Sequence, residues 1–207
     1  SAALGTFQAG GQTFPAGTLL LEPTAELKNL ADQHEVAPLA LRERPEVLRT
    51  SQRPVRVGLY KAFQASMDEG WTRFVLDQAG FQPVSLDNAG VQAGKLRERF
   101  EVLVFASQTR QAILEGRSER EVPRAFSGGI GKEGLKAIRE FVEAGGTLVC
   151  LGQSIDLAID ELGLPVRNVL ERTGEGAFHA PGTLVRVLVE ASHPVTWGMP
   201  REAEATT

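Results

Sequence analysis

Covalent chemistry in this 207-residue chain could start from one cysteine, Cys150, with His34, His179 and His193 as the available imidazole bases. A cysteine attacks as its thiolate. At a strand-to-helix elbow it therefore needs an exposed sulfur, a base or helix N-terminus that lowers its pKa, and a glycine that lets the turn close. In Leu148-Val149-Cys150-Leu151-Gly152-Gln153 the glycine after the cysteine is present, but Leu148 stands where a tight elbow prefers a second one. The same run equally suits a buried strand cysteine that does no chemistry. Metal chemistry finds less support. The residues three after each histidine are Ala37, Gly182 and Thr196, so no His-x-x-Glu pair exists, and no metal ligand set is expected. Gly129-Ile130-Gly131-Lys132-Glu133-Gly134 has the spacing of a dinucleotide fingerprint. No strand precedes it, so it reads as a helix entry.

The elements that would position these groups are clearest over residues 53–79. Val55, Val57 and Leu59 form a short apolar run typical of a strand inside a parallel sheet. Ser66 with Glu69 is a capping box, and Trp71, Phe74, Val75 and Ala79 recur at helical spacing, which predicts a helix packing that face on the sheet. Gly80 closes the helix and Phe81, Pro83 and Val84 open a second strand, giving a β-α-β unit with a right-handed crossover. A short helix capped by Asp87 or Asn88 is expected to run through Val91, Gly94 and Leu96. A third strand follows at residues 102–106, and a long irregular stretch at 107–131 is partly helical near Ala112. An amphipathic helix with Leu135, Ile138, Phe141 and Val142 on one face leads to a fourth strand at 147–151 and a helix at 155–162 capped by Ser154. Leu184, Val185, Val187 and Val189 suggest a later strand. Before all this, residues 1–52 carry one apolar run at 18–21, a helix around Leu27, Leu30 and Ala31, and an Arg/Glu-rich connector too small for a core of its own.

Composition narrows the class of partner. With 22 basic and 26 acidic residues the formal charge is −4, which gives no general reason to expect nucleic acid. No apolar run approaches the roughly 18 residues of a membrane span, and no signal peptide stands at Ser1. The chain reads as soluble, and its start without methionine suggests a piece of something longer.

Arg56-Val57-Gly58-Leu59-Tyr60-Lys61, Ser66-Met67-Asp68-Glu69-Gly70-Trp71, Gly145-Gly146-Thr147-Leu148-Val149, and His193-Pro194 with Trp197-Gly198-Met199-Pro200 together resemble a known family. It is the class I glutamine amidotransferase-like domain found C-terminal to the catalytic domain of bacterial zinc carboxypeptidase-like proteins. The resemblance covers residues 53–200. It implies an α/β fold, flavodoxin-like and doubly wound, with a mostly parallel sheet and helices on both faces. That domain would occupy 53–207, with residues 1–52 as a small N-terminal extension. Ligands would lie at the carboxyl ends of the strands. It further implies that the partner is the catalytic domain of the same polypeptide, that zinc belongs to that domain and no cofactor to this chain, and that the parent is secreted or periplasmic.

Active amidotransferases of this kind use a Cys-His-Glu triad with the cysteine in a Gly-x-Cys-x-Gly elbow and the histidine before Pro-Glu. Here the first glycine of the elbow is Leu148, and Val195 follows His193-Pro194, so the acid that orients the base is missing. The first expectation is a non-catalytic accessory or interaction domain. The alternative is a cysteine-dependent amidotransferase or hydrolase using Cys150 and His193. A third reading, small-molecule sensing, places Tyr60, Lys61, Gln64, Ser107, Gln108 and Gly152 around a crevice where the strand order reverses.

Overall fold

The computed structural model of the chain describes residues 1–64, 66–169, 182–190 and 192–206. It divides into two compact units, one of Pro54–Glu175 and one of Ser1–Arg53 with Gly176–Thr207. In the first, β1 (Val57–Tyr60), α1 (Met67–Gln78), β2 (Val84–Leu86), α2 (Asn88–Gln92), α3 (Leu96–Arg99), β3 (Val102–Phe105), α4 (Arg110–Leu114), α5 (Gly131–Glu143), β4 (Thr147–Cys150) and α6 (Ile155–Leu162) follow in order. The four strands make one parallel sheet, ordered β2-β1-β3-β4 and flanked by helices. Its register sets Ser85, Leu59, Val104 and Val149 in one row.

Alternation along the strands sends their side chains into two apolar sets. Tyr60, Leu86, Leu103 and Phe105 join Val91, Ile113, Ile138, Phe141 and Leu157 from the helices. Val57, Leu59 and Val104 meet Leu76 of α1. Gly58 is required in β1, because a Cβ there would stand 2.9 Å from Leu103 and 3.2 Å from the Phe100 ring.

The helix expected from Ser66 is α1, and the Ser66 Oγ accepts from the Glu69 N–H at 3.3 Å. Its apolar stripe, however, faces the wrong way for the expected packing. Trp71, Phe74 and Val75 are 64%, 52% and 62% exposed, while Glu69, Thr72, Arg73 and Leu76 lie on the more covered side. Glu69 is turned inward by Arg73, which bonds Glu69 Oε1 at 2.8 Å and also donates to the Pro83 carbonyl and the Ser85 hydroxyl beside β2. An ion pair with backbone acceptors thus occupies the place where the spacing predicts aromatic packing.

Two other expectations change in detail. The helix after Asp87 is broken into α2 and α3, because Gly94 and Lys95 adopt positive φ of 69° and 51°. Ser154 does not cap α6 with its side chain; its hydroxyl donates to the carbonyls of Phe105 and Leu151 at 2.9 and 2.8 Å.

Among its described residues the second unit holds three antiparallel strand pairs. Ala2–Ala3 pairs with Arg49–Thr50, Phe7–Ala9 with Gln12–Phe14, and Leu184–Leu188 with Glu202–Thr206. Gly10 and Gly11, both at positive φ, turn the middle hairpin. The run at 18–21 contributes only a single bridge, Ala2 to Leu19. A helix forms at Ala25–Gln33 as its spacing predicts, with Thr24 as its cap. The strand expected near Leu184 is therefore formed, but it pairs away from the parallel sheet, and Gly176–Thr207 groups with Ser1–Arg53 where the sequence reading had placed it within 53–207. Among the described residues no helix is long and apolar enough to cross a membrane.

Two outcomes follow. Leu76→Ala should destabilise the chain by about 1–2 kcal/mol, because it opens a void on the sheet. Trp71→Ala should stay within about 0.5 kcal/mol in denaturant titration. At the other end of the sheet, the Arg56 side chain and backbone N–H hold the Glu101 carboxyl down to about 2 from 4.5, through bonds of 2.6 and 2.7 Å. A depressed carboxyl stabilises above its unfolded value and loses that contribution as pH falls through its folded one. The melting temperature of the wild type should thus exceed that of Glu101→Gln above pH 4.5, and the gap should close toward pH 2.

Candidate functional site

The chain leaves β1 for β2 on one side and returns to β3 on the other, so the strand order reverses at the carboxyl ends of β1 and β3. Diverging connections at such a point leave a crevice. Here it has a volume of about 320 Å³ and lies between the β1–α1 loop, the start of α2, the β3–α4 loop and the segment from Gly116 to Gly128.

Its floor begins with Tyr60, the last residue of β1. That side chain is 3% exposed and stacks on Phe105 with ring centroids 4.7 Å apart. Burial, and then the nearby Asp87 carboxylate, push its phenol above the ordinary range, so it stays protonated and donates to Asn88 Oδ1 at 2.7 Å. Asn88 Nδ2 donates to the Gly128 carbonyl at 2.9 Å, and Gln92 donates to the carbonyls of Gly129 and Ile130. The segment after α4 is folded back by the same demands. Arg117 and Gly128 form an antiparallel bridge, and Gly116, at φ 60°, has no room for a Cβ against the Gly128 carbonyl.

The lining combines polar and aromatic side chains. Phe63 and Phe126 stack with centroids 4.4 Å apart, each about half exposed. Gln64 Oε1 accepts from Arg117 Nε at 2.7 Å and also from Nη2, while Nη1 of the same guanidinium bonds Glu121 at 2.9 Å. The Ser118 backbone N–H, then Arg117 and the Ser118 hydroxyl, hold the Glu121 carboxyl below its ordinary range. The pair is therefore ionised and mutually compensated near neutrality. Thr109 accepts from the Ala112 N–H at 3.2 Å and lines the crevice beside Gln108.

Of the six ligand-binding candidates, Gln64 and Gln108 line this crevice, and Tyr60 supports it through Asn88. Ser107 and Gly152 do not line it; they meet each other. The Ser107 hydroxyl accepts from the Gln153 N–H at 3.3 Å, and a Cβ on Gly152 would stand 2.5 Å from that oxygen. Lys61 bonds β2 through its backbone N–H, and its side chain is exposed. Asn88, Thr109, Arg117 and the two phenylalanines were missed. Only the turn chemistry of Asp87-Asn88 and the glycines of the 107–131 stretch hinted at them.

The nucleophile candidate fares differently. Cys150 ends β4, half-buried against the main core cluster, and burial pushes its thiol up to about 11 despite an opposing hydrogen bond from Ser154. At neutral pH about one molecule in ten thousand would then carry a thiolate. His193 lies in the other unit, where its Nδ1 accepts from the Val195 N–H at 3.2 Å and caps the turn Pro194–Thr196. That bond places the ring proton of the neutral form on Nε2, the atom a general base would need open. Pro54–Glu175 contains no histidine at all, so neither unit holds both members of the pair. His34 ends the helix Ala25–Gln33, and His179 lies outside the described residues. The Gly129–Gly134 run follows a bridge residue and opens α5, with Gly129 pressed against the Ile113 carbonyl. Among the described residues no group of three or more His, Cys, Asp or Glu side chains could hold a metal ion. In comparisons with protein-family models, curated proteins and solved structures, no match to the chain was found.

Tyr60→Phe removes one donor and leaves Asn88 Oδ1 unpaired under the crevice. It should lower stability by about 1–2 kcal/mol in chemical denaturation without changing the far-UV circular dichroism spectrum.

Proposed function

We propose that this chain is a non-catalytic accessory or interaction domain. The observation that carries the reading is the setting of Cys150, half-buried against the core at the end of β4, where burial raises its thiol. A cysteine hydrolase needs a thiolate and a base oriented by a third group, and His193 is engaged as an acceptor by its own turn.

The strand order β2-β1-β3-β4 supports assigning the larger unit to the flavodoxin-like, doubly wound class, whose order begins 2-1-3-4. Together with the four quoted motifs it supports the class I glutamine amidotransferase-like domain of bacterial zinc carboxypeptidase-like proteins. In that setting the partner is the catalytic domain of the same secreted or periplasmic polypeptide, which supplies the zinc ligands.

Thiol labelling across pH tests the idle cysteine. Labelling of Cys150 should be slow at neutrality and rise through the alkaline range toward pH 11, with no inflection near pH 7. A rate that reaches its plateau near neutrality, and that falls in His193→Ala, would establish a working thiol and imidazole pair instead.

A further inference from the structure

We propose that the crevice at the carboxyl ends of β1 and β3 binds an uncharged, hydroxyl-rich ring, a saccharide unit. This goes beyond the accessory role and does not depend on whether Cys150 reacts.

Charge is the first ground. The one cationic side chain lining the crevice is Arg117, and three of its donor groups are taken by Gln64 and Glu121. A carboxylate or phosphate reaching the two N–H groups that remain would share the guanidinium with the Glu121 carboxylate, which repels it. An ammonium ligand meets no unpaired acid there. A neutral ligand leaves the pair intact.

Unmet hydrogen bonding is the second. Gln108 lines the crevice, yet its Oε1 is shut off from solvent and accepts no hydrogen bond among the described residues. Such an acceptor carries a desolvation penalty with nothing to offset it. A rotation of the terminal amide that brings it to an arriving hydroxyl removes the penalty. A hydroxyl can donate to the oxygen end and accept from the nitrogen end, so it serves whichever end is presented. The Thr109 hydroxyl, whose oxygen already accepts from Ala112, keeps a donor for a second ring oxygen.

Shape and apolar surface are the third. Phe63 and Phe126 stand in the lining as a stacked, half-exposed aromatic surface. The C–H face of a sugar ring packs on such a surface while its edge hydroxyls reach polar groups. A volume of about 320 Å³ admits one or two such rings.

The test is a ligand-observed NMR titration of the full chain with glucose, N-acetylglucosamine and maltose, set beside acetate, phosphate and adenosine. At least one saccharide should bind, and the three other probes should bind more weakly or not at all. Gln108→Leu should weaken that saccharide about tenfold, the loss of a hydrogen bond, while raising the melting temperature by about 2–4 °C as the unpaired acceptor disappears. Phe126→Ala, at an exposed ring, provides an independent weakened variant should the first not fold. Absence of saccharide binding, tighter binding of acetate, phosphate or adenosine, or unchanged saccharide affinity in the folded variants would overturn the proposal.

Discussion

A phenol buried at the end of a central strand must find a hydrogen-bond partner, and the partner Tyr60 finds organises the rest of the crevice. The hydroxyl is held between the Phe105 ring and the first turn of α2, where Asn88 accepts from it. Once its oxygen is engaged, the Asn88 amide nitrogen is directed at Gly128. One chain of two hydrogen bonds therefore couples the sheet to a segment 40 residues further on. That segment can approach so closely only because Gly116 and Gly129 lack side chains where backbone carbonyls stand. An unpaired buried hydroxyl or amide would be costly, so the position of the loop is enforced from within the core.

This dependence explains which parts of the structure are legible in the sequence. The strands are, because residues 57–60 and 102–105 are apolar on both faces and a parallel sheet buries both. The α5 helix is legible from its periodic face, where Ile138 and Phe141 are buried as expected, although Val142 is 38% exposed and Ala137 is buried instead. In α1 the same reasoning finds the helix and misplaces its face. Periodicity identifies the apolar stripe but not whether a stronger interaction takes the inner side, and Arg73, bridging Glu69 to the backbone near β2, does so. The crevice was readable only by half. Gln64 and Gln108 lie in the loops that leave the carboxyl ends of β1 and β3, so topology alone points to them. Asn88, Arg117 and Phe126 arrive through loop geometry that depends on three long-range hydrogen bonds and several positive-φ glycines, none of which has a local signature.

The cysteine illustrates a different limit. Cys150-Leu151-Gly152 has the spacing of an elbow, and Gly152 does adopt the positive φ of 56° that an elbow demands. Backbone shape was thus anticipated. Between the nucleophile and the buried strand cysteine that the sequence leaves open, the surroundings of the sulfur favour the second. Packing against the core disfavours the charged form, and this outweighs the opposing hydrogen bond from Ser154.

Catalytic sites hold electrostatic demand in reserve, with donors or charges that are fully met only as charge develops in the transition state. Several polar groups near the strand ends of this chain are already met. Arg117 is met by Glu121 and Gln64, the Glu69 carboxylate by Arg73, and the Ser107 hydroxyl by the Gln153 N–H. What stays unmet in the crevice is an amide oxygen, a neutral group too weak to drive bond breaking but well suited to telling one ligand from another. A buried amide rejects a molecule that cannot hydrogen-bond to it and accepts one that can, at no cost in charge separation. These properties suit the crevice to the recognition role proposed for it.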